Sequence, residues 1–112
     1  MERYINNIDY KKVIKLSDLS EIKNDSISAL SLVDRKSLII KIISVDKDVE
    51  IPTHESIGDV LVNVLEGKAE ITIENEKFIV SNGESIFMPA KAKHSLKAME
   101  AFKILVIQVK QE

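Results

Sequence analysis

Between Ser28 and Lys110 the chain passes through eight short runs rich in Ile and Val: "SALSLV", "SLIIKIISV", "DVLVNVLE", "AEITIE", "KFIVS", "ESIFM", "HSLKAM" and "FKILVIQVK". Several alternate strictly. Glu70, Thr72 and Glu74 fall on one face of an extended segment and Ile71 and Ile73 on the other, the pattern of a half-buried strand, whereas a buried helical face repeats every 3.6 residues. Helical periodicity is confined to one weak turn near "LSDLSEI". Turn residues stand between the runs: "ENEK" at Glu74 to Lys77, "EGK" with Gly67, and "SNGE" with Asn82 before Gly83. Many short strands joined by short polar connections make an all-β sandwich or closed barrel, and strand spacing alone does not choose between them.

The chain has 112 residues, 45% of them hydrophobic and 30% charged, which fits one domain and leaves no room for a second sizeable one. A domain of this length buries about 65% of the surface its unfolded chain exposes. It folds unaided on that measure, but a small closed barrel gains from pairing with a copy of itself, so a homodimer is expected. The net charge of -2 is spread along the chain and gives no basic footprint for nucleic acid or for an anionic membrane. With no cysteine there is neither a disulfide framework nor a thiolate metal site, which fits a cytoplasmic location. The longest apolar run is interrupted by Lys41 and is far shorter than the roughly 20 residues of a membrane helix, and "MERYINNIDYKK" has no apolar signal core, so a soluble, unprocessed protein is expected.

Familiar catalytic signatures are absent. "EGKA" at Glu66 to Ala69 fails as a phosphate loop, because Val62 stands where the earlier glycine belongs and Lys68 is not followed by Ser or Thr. No G-x-S-x-G elbow supports a hydrolytic triad. Attention falls on the two histidines, His54 in "IPTHESIGDVLVNVLEG" and His94 in "GESIFMPAKAKH".

These two stretches resemble the cupin family. Its first motif has the form G-x5-H-x-H-x3-4-E-x6-G, and laid on this sequence its first histidine falls on His54 and its closing glycine on Gly67. Its second has the form G-x5-P-x-G-x2-H-x3-N, and Gly83, Pro89 and His94 meet that spacing. "KAEITIENEKFIVSN" is similar to the hairpin between the motifs, and the match runs from about Lys36 to Val109, leaving 1–35 as an N-terminal extension with a strand. The resemblance implies a double-stranded β-helix, a jelly-roll barrel, with a ligand pocket at one mouth. It also exposes departures: Ser56 stands at the second histidine, Val60 at the glutamate, Lys91 at the inner glycine and Ala98 at the asparagine.

The family's metal set is three histidines and a carboxylate at about 2.0–2.2 Å around Mn, Fe, Ni or Zn. His54 and His94 alone do not enclose an ion. Valine offers no donor and neutral serine a poor one, so no firmly held metal is expected, although a divalent transition metal such as Zn, Ni, Mn or Fe has two imidazoles to bind weakly. Glu55 and Asp59, each one residue from a ligand position, point to the wrong face unless a bulge at Gly58 shifts the register. Unpaired burial of an imidazole costs about 1–3 kcal/mol, so an ion, a water or a ligand is expected between the rings.

Val60, Val62 and Val64, on one face with His54 and Ser56, give an apolar pocket with polar groups at its mouth, the description of a small-molecule site. Phe87, Met88 and Phe102 read as core or pocket lining. The first expectation is therefore a barrel that binds a small molecule through His54, Ser56, Val60, Val62 and His94. The alternatives are a metal-dependent isomerase- or dioxygenase-like enzyme with a two-histidine site, and an assembly module. Ile27 to Val33 reads either as an extra barrel strand or as an arm exchanged between protomers, and both readings bury Leu30 and Leu32.

Overall fold

The protein is seen here in a computed structural model that describes residues 3–111. After a 3-10 turn at Leu16–Leu19, nine strands follow among the described residues: β1 (Ile27–Asp34), β2 (Leu38–Val45), β3 (Glu50–His54), β4 (Asp59–Glu66), β5 (Lys68–Ile73), β6 (Glu76–Ser81), β7 (Ser85–Met88), β8 (His94–Ala98) and β9 (Phe102–Val109). They form a five-stranded sheet in the order β1-β2-β9-β4-β7 and a four-stranded sheet in the order β3-β8-β5-β6, antiparallel throughout. From β2 onward the chain crosses repeatedly between the sheets, which is the jelly-roll barrel that the resemblance implies.

All eight segments read from the alternation are strands, and the helical turn is present at Leu16–Leu19. One strand, β3, is illegible in that pattern. Pro52 lies inside it, and proline cannot donate to a ladder, which confines it to edges and bulges. β3 meets both conditions. It is an edge strand, and its pairing with β8 shifts register between Ile51 and His54.

Register sorts the inward residues of the large sheet into rows. Ile39, Gln108, Val60 and Met88 lie side by side across β2, β9, β4 and β7, and Lys41, Val106, Val62 and Ile86 form the next row. Ile43, Ile104 and Val64 follow, and Val45 pairs with Phe102 at the closed end. The facing sheet repeats the gradient: His54, His94 and Ile73, then Ile51, Leu96 and Ile71, then Ala98 and Ala69. Phe102, Val45, Val64, Ala69 and Ala98 are wholly buried, so the core is densest at the closed end. Full burial of one such aliphatic or aromatic side chain contributes about 1.5–3 kcal/mol.

Residues before β1 pack against the large sheet, Ser17 and Ser20 near that same end and Asn6 beside β1 nearer the open end. The Lys103 ammonium donates to Ser17 O at 2.7 Å, Ser44 Oγ and Ser20 Oγ share a buried hydrogen bond of 2.7 Å, and Asn6 N donates to Leu32 O at 2.8 Å. β1 pairs with β2 of its own chain, with a shift between Ser31 and Val33 that turns both Leu32 and Val33 into the protein. Leu30 is half-buried rather than buried, because it lies on an edge strand. Phe87 also departs from expectation. It neighbours inward-facing Met88, so the two-residue period turns it outward, where it is 57% exposed.

Candidate functional site

The open end of the barrel leads into a cavity of about 220 Å³. Each residue expected there lines it: His54, Ser56, Val60, Val62 and His94. Val64, expected with them, is packed in the core beneath, on the next inward position of β4. Met88, Ile43, Ile51, Leu96, Ile104 and Val106 complete an apolar wall.

His54 reaches this wall through the β3 irregularity. Between Ile51 and His54 the strand advances three residues while β8 advances two, from Leu96 to His94. An uninterrupted strand would turn His54 away from the face of Ile51. The extra residue beside Pro52 restores it, as a β-bulge does. His54 then pairs directly with His94, their ring centroids are 4.1 Å apart and their planes meet at 66°.

Each ring is held by the backbone carbonyl two residues before it. His54 Nδ1 lies 2.8 Å from Pro52 O and His94 Nδ1 lies 3.0 Å from Ala92 O. A carbonyl oxygen only accepts, so each Nδ1 carries the hydrogen, and in the neutral ring Nε2 is left as an acceptor. Half of each imidazole's demand is met without any third body, and no deeply buried side-chain N or O among the described residues lacks a partner. His94 is almost wholly buried. Burial pushes its imidazole below the ordinary value, the hydrogen bond to Ala92 opposes that, and nearby His54 adds a smaller push downward.

The donor set does not match the metal set of the cupin motif. Among the described residues no group of three His, Cys, Asp or Glu side chains converges. Asp59 cannot complete one, because its carboxylate faces outward and accepts from Ala90 N at 2.8 Å. β4 pairs with β9 without a break from Asp59 to Val64, so no bulge turns Asp59 inward. Gly58 has a different reason to be glycine: a Cβ there would stand 2.3 Å from Val109 O. Glu55 is exposed and does not line the cavity.

Two polar lining residues lie outside the motifs. Lys41 and Gln108 project from the large sheet, on the wall facing the histidines. A lysine interrupting an otherwise apolar run was the sequence signal for the first; nothing marked the second.

The loops that support the mouth keep their shape despite the motif departures. Lys91, at the inner glycine of the second motif, has φ +68°, and Asp48, at the opening glycine of the first, has φ +66°. The left-handed geometry of both positions is retained by residues that adopt it at a cost. Lys91 N donates to Ser56 O at 2.8 Å, which ties the two motif loops together beside the cavity.

The cupin domain model matches residues 42–108. A conserved protein of unknown function from Streptococcus pyogenes is similar over 99% of this chain and 97% of its own, with 44% identity and a TM-score of 0.96. A cupin superfamily protein from Desulfitobacterium hafniense shares the fold at 22% identity and a TM-score of 0.92, over 96% of this chain and 98% of its own. A cupin 2 conserved barrel domain protein from Leptotrichia buccalis is 34% identical with a TM-score of 0.84, over 87% of this chain but only 47% of its own. No curated protein matches the sequence. The family match covers more than half of the chain and follows both histidine motifs, so this protein belongs to the cupin family.

Proposed function

We propose that this cupin barrel binds a small molecule in its cavity, with His54 and His94 orienting it and no metal firmly held. The carrying observation is the convergence of two imidazoles, each fixed through Nδ1, on one apolar cavity. Apolar walls with a few placed polar groups suit an organic ligand. The cavity of about 220 Å³ is smaller than the roughly 300–1,000 Å³ of drug-sized sites, which favours a compact molecule. The experiment is a thermal-shift screen of small metabolites on tag-free protein. Ligand-induced shifts should vanish in His54→Ala and His94→Ala; shifts that persist in both variants contradict the role given to the histidines.

A metal-dependent reading, isomerase- or dioxygenase-like, is favoured by one observation, the two neighbouring Nε2 acceptors. Such a pair binds Zn or Ni loosely and Mn or Fe more weakly still. Elemental analysis, with melting in the presence and absence of a chelator, separates the readings: stoichiometric metal whose removal lowers the melting temperature favours the enzyme.

We also propose that two copies pair through the outer face of the large sheet. Ile40, Ile107, Leu61 and Phe87 form one continuous apolar row across β2, β9, β4 and β7. Leu61 is 41% exposed on that row. The same composition suits the assembly reading. The cytoplasmic location stays a proposal from composition; among the described residues no helix is long and apolar enough to cross a membrane.

A further inference from the structure

We infer that the ligand is a compact organic carboxylate and that Lys41 is its anchor, an assignment that rests on the cavity being a small-molecule site. Lys41 occupies the second row of the large sheet, between Ile39 and Ile43 along β2 and opposite Val106 on β9. All three of those neighbours line the same cavity. A charged group such as an ammonium is costly to place on such a wall unless it finds a counter-charge or water. Lys41 makes no ion pair among the described residues. The acidic side chains near the mouth do not supply one: Asp59 is engaged with Ala90 N outside the cavity, and Glu55 does not line it.

A lysine stem lies along apolar surface while its head seeks a polar environment, and here the polar end of the cavity is the mouth with His54, His94, Ser56 and Gln108. The ammonium is thereby delivered to the space that a ligand occupies. Gln108, diagonal to Lys41 across β2 and β9, brings amide donors to the same wall. On the facing wall each imidazole has its Nδ1 taken by a backbone carbonyl and turns Nε2 to the ligand as an acceptor, which does not attract an anion. The two walls thus divide the work. The large sheet receives the carboxylate, the apolar rows receive a short hydrocarbon body, and the Nε2 atoms receive a hydroxyl or amine hydrogen where the ligand carries one.

The test compares pentanoate with pentanamide, which has the same shape and no charge, by following backbone amide resonances of the 112-residue chain. Wild type should bind pentanoate about 10-fold or more tightly than pentanamide, the discrimination expected of a charge-assisted pair at a partly desolvated site. Lys41→Met should abolish the preference while still binding the amide, and Lys41→Arg should retain it. Lys41→Met should also melt higher than wild type without ligand, because it removes an unpaired cation from an apolar wall, and this confirms that the variant is folded. Equal binding of the two probes by wild type, or an unchanged preference in Lys41→Met, overturns the assignment of Lys41 and leaves the small-molecule reading standing. Binding of neither probe up to tens of millimolar, together with no shift in the metabolite screen, overturns both; binding of pentanamide alone overturns the carboxylate.

Discussion

His54 and His94 stand directly opposite each other on β3 and β8, with ring centroids 4.1 Å apart and each Nδ1 committed to a backbone carbonyl of its own segment. Two imidazolium charges at that distance repel, and His94 is in addition shut off from water.

A pH dependence follows. The folded protein holds His94 below its ordinary value of 6.5, so the unfolded chain takes up the proton first as the pH falls. The contribution of neutral His94 is fully present above pH 6.5 and is lost as the pH drops from there through the depressed folded-state value. Thermal melts from pH 8 to pH 5 should show this loss. His94→Asn, which keeps a donor for Ala92 O, should flatten that part of the profile; an unchanged slope contradicts the assignment.

Lys91→Gly should stabilise the protein. Lys91 sits at φ +68°, where a side chain costs about 1–2 kcal/mol, and the freedom glycine adds to the unfolded chain returns part of that. A net gain of about 0.5–1 kcal/mol, or roughly 2–6 °C in melting temperature, is expected by scanning calorimetry.

Gly67 and Gly83 both have positive φ, at +91° and +81°, yet they should respond differently to alanine. At Gly67 a Cβ would lie 2.1 Å from Ala101 O and 2.7 Å from Phe102 Cα, against the closed end of the core, while at Gly83 it meets nothing within 4 Å. Gly83→Ala should cost about 1 kcal/mol of backbone strain; Gly67→Ala should cost well over 2 kcal/mol or fail to fold. Urea unfolding of the two variants side by side checks the order.

Self-association should run through the outer row of the large sheet. Leu61→Glu and Phe87→Glu place a charge in that row on exposed positions, so the fold is kept. In sedimentation equilibrium the wild type should be a dimer and both variants monomers. A monomeric wild type, or variants that still dimerise, contradicts the interface.

Much of the barrel was legible because most strands bury one face, and Ile71 between Glu70 and Thr72 states its orientation outright. β3 was not legible, since Pro52 and the extra residue before His54 break the two-residue period. That same bulge is what brings His54 inward. Of the site, the motif spacing located both histidines, Ser56 and Val60, and the two-residue period carried the inward face on to Val62. Lys41 was visible but had no direction, because β2 is apolar on both faces: Ile39 and Ile43 line the cavity while Ile42 is buried against the N-terminal segment's side of the sheet. Such a strand does not say which face its one lysine takes. Phe87 turns outward against expectation for the related reason that an aromatic residue beside Met88 says nothing about which of the two turns inward.

The nitrogen-15 shifts of the two imidazoles in free protein at pH 8 test the geometry on which all of this rests. Both rings should be protonated at Nδ1 and bare at Nε2, and both Nε2 signals should move together when a cavity ligand is added. Protonation at Nε2 in either ring, or a ligand that moves neither signal, would contradict a shared site built on this pair.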